Sequence, residues 1–235
     1  MTNHPSDTRN EAAILDVWHK NATPWTDAIR ENRIESRKLV TNAAIIDAVM
    51  SRTPPPRTAL DIGCGEGWLA RALAERGISV VGVDVVPELV ERARQLTATR
   101  AEFRVASYEM IAAGELSIAP VDVAIANFSL LGHDSVDALI RRAPALLRPG
   151  GSFIVQTLHP VVACGDLPYV DGWRDGTWTL QGAGFGDPAP WYFRTLETWL
   201  RLLAQSGLAL VEMREPLHPT SQKPASVIFI AAAAG

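Results

Sequence analysis

"LDIGCGEGWLARAL", residues 60–73, sets three glycines between a strand-like run and a helix-like run. Leu60, Asp61 and Ile62 read as the end of a strand, Gly63, Gly65 and Gly67 alternate through the turn, and Trp68 to Leu73 take up helical spacing. Such a turn brings backbone N–H groups and a helix start close to a ligand, most often a nucleotide. The dinucleotide fingerprint is G-x-G-x-x-G/A, and Trp68 stands where its third spaced glycine would fall. Asp61 lies two residues before the first glycine and Glu66 lies inside the turn. Two carboxylates are poor company for a pyrophosphate and suit a ligand that carries an ammonium group and a sulfonium. Asp84 ends the next apolar run, seventeen residues after Gly67. An acid there accepts hydrogen bonds from both hydroxyls of a ribose. The ligand so described is a cationic adenine nucleoside without phosphates.

Outward from this turn, short apolar runs alternate with helical ones. Strands are expected over 58–62, 78–84, 101–106, 121–127 and 152–158, and helices over 67–76 and 87–97, the second with Pro87 near its first turn. A short helix follows the third strand. Asp134 is expected to cap a helix from Ser135, and Pro144 to interrupt it before "RPGG" turns the chain. Upstream, 11–22 and 33–51 carry helical apolar spacing, and "RTPPPR" at 52–57 is a stiff break. Downstream, 194–206 reads as a helix, and "LALVEMRE" and "ASVIFIAAA" as two last strands with no helix between them. Alternating strands and helices imply right-handed crossovers and a parallel sheet, and the nearly all-apolar strands fit a sheet covered on both faces. The last two strands form a hairpin, which reverses the final one.

The chain has 235 residues, 47% of them hydrophobic and 20% charged, as in an ordinary globular protein. Its net charge of −4 speaks against a nucleic-acid partner, which needs excess Lys and Arg. Cys64 and Cys164 are too few for a disulfide framework and read as reduced thiols. The polar start "MTNHPSDTRNEAA" has no apolar signal core, and no stretch is apolar for the ~20 residues of a membrane span, so a cytoplasmic location is expected. No Cys/His cluster has metal-ligand spacing, and no metal is expected.

Four stretches resemble class I S-adenosylmethionine-dependent methyltransferases: "LDIGCGEGWLARAL", "VVGVDVVPELVERAR", "VDVAIANFSLLGH" and "LLRPGGSFIVQTLHP", in that family's order and spacing over about residues 57 to 160. The closing "YFRTLETWLRLLAQSGLALVEMREP" resembles the tail of its small-molecule members. The resemblance implies a doubly wound, mostly parallel seven-stranded sheet, Rossmann-like, with an antiparallel last strand. Residues 1–51 are expected as an N-terminal helical cap and 57–235 as the methyltransferase domain. The cofactor implied is S-adenosyl-L-methionine, its product S-adenosyl-L-homocysteine. Asp61 and the backbone of Gly63, Cys64, Gly65 and Gly67 would hold the methionine part, beside Trp68. Arg33 or Arg37 would reach its carboxylate. Asp84 would hold the ribose and Val85 would pack on the adenine. The family often has an acid after the third strand, where this chain has Ser107; its hydroxyl or the Tyr108 backbone would substitute. Asn127 and Phe128 would complete that wall. Independently of the family, Gly63, Asp84, Ser107, Asn127 and His159 each follow an expected strand, and such positions line one edge of an open parallel sheet.

The reaction implied is in-line displacement of the methyl group by an acceptor nucleophile, in which alignment is the protein's main task. After the fourth strand the chain has "NFSL", unlike the N-P-P-Y of nucleic-acid amino methylases, so a small-molecule acceptor is expected. Methylation of a protein or peptide is the alternative enzyme. A domain that binds the cofactor and transfers nothing is the alternative of another class. A homodimer is compatible with either. His159 and His133 are candidate catalytic residues. Residues 160–192 are too long and too aromatic for a plain connection and are expected as a lid and substrate-binding insertion. Tyr169, Trp173, Trp178, Phe185 and Trp191, with Tyr192, would join Trp18 and Trp25 of the N-terminal helices around the acceptor.

Overall fold

The structure is a computed structural model that describes residues 5–96, 99–177 and 184–233. The chain opens with α1 (Pro5–Lys20), breaks at Asn21 and resumes as α2 (Ala22–Arg30). The break is held from inside: Asn21 is buried, and its side-chain amide donates to the Val17 carbonyl at 2.8 Å. No helix was expected over 22–30; Pro24 is tolerated because it sits in the first turn, where its missing N–H is not needed. A π-helical turn, Arg37–Thr41, then runs straight into α3 (Asn42–Met50).

Seven strands form the main sheet: β1 (Thr58–Ile62), β2 (Ser79–Asp84), β3 (Ala101–Val105), β4 (Val121–Asn127), β5 (Leu147–Thr157), β8 (Leu208–Arg214) and β9 (Val227–Ala233), in the order β3-β2-β1-β4-β5-β9-β8. β1 to β5 pair in parallel, and β9 runs antiparallel to both β5 and β8. The reversed last strand follows from the hairpin seen in the sequence. Between them lie α4 (Trp68–Ala74), α5 (Pro87–Gln95), α6 (Tyr108–Ala113), α7 (Asp134–Leu146) and α9 (Leu196–Gln205).

Side-chain alternation on the strands sorts the core into two layers. Leu60 and Ile62 of β1 face α6, α7 and α9 through Ile111, Leu139, Ile140 and Leu203. Ala59 faces α3, α4 and α5 through Ile45, Leu69, Leu73 and Val90. Thus α3, counted with the N-terminal cap in the sequence, is part of the layer under the sheet, and α1 and α2 stand above the strand ends. Asp61 shares the face of Ala59, which aims its carboxylate toward α3 and α4.

Two local expectations are corrected. Pro144 does not interrupt α7, which continues to Leu146; a proline in the last turn costs only the bond to the Ile140 carbonyl. Asp134 is not the cap of that helix, because the helix begins with it and His133 occupies the cap position. Within 160–192 lie α8 (Pro160–Ala163) and most of a small antiparallel pair, β6 (Gly172–Arg174) with β7 (Trp191–Phe193). Trp178 lies outside the described residues.

Candidate functional site

The C-terminal ends of β1, β2 and β4 and the loop after β3 surround a cavity of about 290 Å3, walled on its far side by α1 and α2. The turn after β1 reaches it through tight backbone geometry. Gly63 and Gly65 have φ of +72° and +56°, values glycine tolerates. A side chain at Gly63 would run into Ser129. The N–H groups of Gly63 and Cys64 both bond the Val83 carbonyl, at 2.8 and 2.9 Å, which ties the turn to β2. Asp84 completes the tie: its Oδ2 accepts from the Gly65 N–H at 2.8 Å and its Oδ1 from the Val86 N–H at 2.9 Å. Each oxygen keeps a lone pair. Burial raises the Asp84 pKa, and these N–H donors oppose the rise.

The electrostatics of the turn are uneven. Asp61 is 1% exposed, and its Oδ2 has no partner. Burial, seconded by the charge of Asp84 and opposed by Arg37, pushes its pKa up to about 7. Glu66, equally buried, is neutralised: its Oε2 meets Arg71 at 2.6 Å and Arg30 at 3.5 Å. Its Oε1 and the Oδ1 of Asn127 are also unpartnered. Three buried acceptors around one cavity call for a ligand rich in N–H donors and positive charge. A pyrophosphate would meet the opposite of what it needs. The zwitterionic amino-acid end of S-adenosylmethionine fits: an ammonium for Asp61, and a carboxylate for Arg37. Arg37 is 8% exposed on the π-helical turn, packed over the rings of Trp68 at 5.0 Å and Trp25 at 5.6 Å. Burial lowers its pKa to about 10, so it stays charged at neutral pH. Arg33 instead pairs with Glu31 at 2.9 Å.

Of the expected cofactor residues, Asp61, Gly63, Cys64, Gly65, Trp68, Asp84, Val85, Ser107, Tyr108, Asn127, Phe128 and Arg37 line the cavity. Gly67 does not. Its φ is +83°, and a Cβ there would strike Phe103, so it serves the packing of α4 on β3. The Ser107 hydroxyl oxygen caps α6 by accepting from the Met110 N–H at 3.2 Å. Tyr108 donates its hydroxyl to the Ser129 carbonyl at 2.8 Å, and its burial raises its pKa. Burial also raises the Cys64 thiol, which keeps it protonated. Phe128 holds a φ of +54°, a strained value of the kind that clusters at functional sites.

The candidates on the other side fall differently. Trp18 and Trp25 line the cavity; Tyr169, Trp173, Trp191 and Tyr192 do not. Nor does His159, whose Nε2 meets Glu215 Oε1 at 2.7 Å. His133 stacks on Tyr192 with ring centroids 4.0 Å apart. Tyr192 and Arg194, at the end of 160–192 and just past it, grip the cavity's rim. The Tyr192 N–H donates to the Leu131 carbonyl at 2.7 Å, and buried Arg194 donates to the carbonyls of Gly132 and His133, each at 2.9 Å, and to Asp137 Oδ1 at 2.9 Å. Glu11 of α1, absent from the sequence reading, binds the same rim from above. It accepts from the His133 N–H at 2.7 Å, the Ser135 N–H at 3.3 Å and the Ser135 hydroxyl at 2.8 Å. It thereby caps α7 from 122 residues away. A polar residue inside an amphipathic helix gave no signal of this.

Among the described residues no group of His, Cys, Asp and Glu is placed to hold a metal ion, and no helix is long and apolar enough to cross a membrane.

Comparison with known proteins agrees with the geometry. A sequence model described as a methyltransferase domain matches residues 31–213. A ubiquinone biosynthesis O-methyltransferase of Xanthomonas campestris pv. campestris (strain B100) is 34% identical over 162 residues, covering 66% of this chain and 65% of its own length. One from Xylella fastidiosa (strain 9a5c) is 35% identical over 127 residues, 52% of this chain and 50% of that protein. Among solved structures, an S-adenosylmethionine-dependent methyltransferase from Mesorhizobium loti superposes with a TM-score of 0.60 at 24% identity, over 80% of this chain and 95% of that one. The 1,6-didemethyltoxoflavin-N1-methyltransferase of Burkholderia thailandensis, solved with S-adenosylhomocysteine, gives 0.63 at 17% identity, over 100% and 93%.

Proposed function

This chain belongs to the class I S-adenosylmethionine-dependent methyltransferases, and from that premise we propose that it methylates a small-molecule acceptor at the cavity above β1, β2 and β4. The observation that carries the reading is the unpartnered Oδ2 of Asp61, a buried carboxylate that lines the same cavity as Asp84 and Arg37. When bound, S-adenosylmethionine supplies a methyl group already activated by its positive sulfur. The rest is the work of the chain. Asp61 receives the ammonium and Arg37 the carboxylate, which fixes one end of the ligand. Asp84, held rigid by the N–H groups of Gly65 and Val86, receives the ribose hydroxyls and fixes the other. A reactant pinned at both ends presents its reactive centre in one direction, and such orientation is worth ~7–11 kcal/mol of a barrier. α1 and α2 wall the site opposite the strand ends.

Three observations support a small acceptor over a polymer. The cavity is roofed by α1 and α2, and its rim is clamped from both sides by Glu11 and Arg194. The net charge of −4 offers no excess of cations for a nucleic acid. The curated relatives are named for O-methylation in ubiquinone biosynthesis. Their match covers about two thirds of their length or less, and an O-methylation is accordingly part of the proposal. The test is transfer of radiolabelled methyl from S-adenosylmethionine into fractionated cell extract. Label in the solvent-extractable small-molecule fraction is expected. Label confined to polypeptide, or to nucleic acid, overturns the choice of acceptor, and no transfer to any fraction favours the non-catalytic alternative.

A further inference from the structure

The cofactor cavity uses one end of the parallel strands. At their other end lies a second hollow of about 610 Å3, within the range of about 300–1,000 Å3 typical of small-molecule sites. Thr58 and Ala59 of β1, Ser79, Val80 and Val81 of β2 and Ala101 of β3 line it. Thr58 stands beside Ser79 and Val80 beside Ala101, so the three strands begin side by side there. Residues 117–121, which lead from α6 into β4, form a further part of the lining, and Ile118 and Pro120 among them extend its apolar surface. None of these residues lines the cofactor cavity.

The two hollows have opposite chemistry. The unpartnered atoms around the cofactor cavity are acceptors, Asp61 Oδ2, Glu66 Oε1 and Asn127 Oδ1. The second hollow is lined by three guanidiniums, Arg100, Arg104 and Arg148, and by one carboxylate, Glu102, in a chain whose net charge is −4. Glu102 is matched to Arg104 at 2.6 Å. Arg148 meets Asp122 at 3.2 Å, and that carboxylate already accepts from the N–H groups of Arg57 and Thr58 and from the Thr58 hydroxyl. Arg100 meets no carboxylate among the described residues and bonds the Gly77 carbonyl at 3.2 Å. A guanidinium carries five N–H donors, so each of the three keeps donors to spare, in a planar fork that matches carboxylate and phosphate oxygens. We propose that this hollow is a second binding site, one for an organic anion whose carboxylate or phosphate is held by Arg100, Arg104 and Arg148 and whose apolar body covers Val81 and Ile118. An anion that the acid-lined cofactor cavity repels finds its counter-charges here.

The experiment follows the backbone amide signals of the full chain while three probes of one shape are added: phenyl phosphate, phthalate and the uncharged benzyl alcohol. At least one of the two anions should shift the signals of residues 99–104 and 117–121 saturably, and benzyl alcohol should not. The tighter of the two anions tells phosphate from carboxylate. Binding should weaken as salt is raised, because the guanidiniums are exposed. Arg100→Ala, which gives up a single hydrogen bond, and Arg104→Gln should each weaken the anion by about threefold to fivefold, the upper range of an exposed ion pair. Ser117→Asp adds a carboxylate to the lining and should weaken it as well; it decides the matter should an arginine variant fail to fold. S-adenosylhomocysteine affinity should stay within about twofold of wild type in all three variants, since the cofactor cavity is untouched. No saturable shift with either anion overturns the proposal. So do an equal response to benzyl alcohol, shifts confined to the cofactor cavity, and folded variants that bind the anion as the wild type does.

Discussion

The glycine turn and the entrance to α7 lie on the same cavity and are held by different means. At the turn, Asp84 binds the N–H groups of residues 19 positions before it and two after it. At the α7 entrance, the carbonyls of Gly132 and His133 are bound by Arg194 about 60 residues downstream, and the His133 N–H by Glu11, 122 residues upstream. The turn is a local device whose charges are left partly unsatisfied, ready for a ligand. The entrance is a long-range junction in which the donors and acceptors are matched within the protein. Residues at the first should govern affinity, and residues at the second should govern stability.

Four variants and one condition probe that division. The largest effect is expected from Arg194→Met. It takes the buried partner from Asp137, which keeps Arg141 at 3.2 Å, and strips two carbonyls of their donors, a loss of about 3 kcal/mol in denaturant unfolding. S-adenosylhomocysteine affinity, measured where the variant is folded, should change by less than about threefold. Asp84→Ala should act chiefly on the ligand. It should weaken S-adenosylhomocysteine by roughly 1.5–3 kcal/mol, the scale of hydrogen bonds to a charged group, and should lower the unfolding midpoint less than Arg194→Met does, through the Gly65 and Val86 N–H groups left without their acceptor.

Next comes pH. The Asp61 carboxyl is raised from 3.8 to about 7 in the folded protein. Its contribution to ligand-free stability is therefore fully present below about pH 4 and is lost as pH rises through about 7. Affinity runs the other way, because the ammonium of the ligand needs the ionised carboxylate. S-adenosylhomocysteine should bind ~1.4 kcal/mol more weakly for each pH unit below that value. Asp61→Asn should abolish the trend, and should leave 5′-methylthioadenosine binding unaltered. A pH-independent affinity in the wild type would place the ammonium elsewhere. The smallest effect is assigned to Glu11→Ala, ~1 kcal/mol for a lost helix cap, with faster amide exchange at His133 and Ser135. A tenfold loss of cofactor affinity in that variant would blur the proposed division.

The same contrast explains what the sequence discloses. The strands of the sheet are short apolar runs bounded by turns, and the reversed β9 is visible because no helix fits between it and β8. Asp61, Asp84 and the alternating glycines sit at fixed spacings in one supersecondary unit, so their convergence is readable from order alone. The sequence offers Arg33 and Arg37 alike in an N-terminal helix, and only their placement separates them: Arg37 lines the cavity and Arg33 pairs with Glu31. Glu11 and Arg194 act across 122 and about 60 residues, and nothing in their own neighbourhoods announces a partner. His159 was expected at the crevice because it follows β5, but its ring turns to Glu215 at the end of β8, a strand that the sequence does not place beside it. The aromatics of 160–192 mark the segment in the sequence as more than a plain connection. Their target could not be read, and Trp173 and Tyr192 pair across β6 and β7 while the cavity is lined by others.

The central claim is that a buried, acid-lined cavity at the glycine turn accepts a sulfur-containing cationic nucleoside and rejects a dinucleotide. Parallel calorimetric titrations of the wild-type protein with S-adenosylhomocysteine and with NAD at pH 8, above the Asp61 transition, test it most directly. The account predicts saturable 1:1 binding of S-adenosylhomocysteine and no heat of binding with NAD. Binding of NAD with no response to S-adenosylhomocysteine would contradict it.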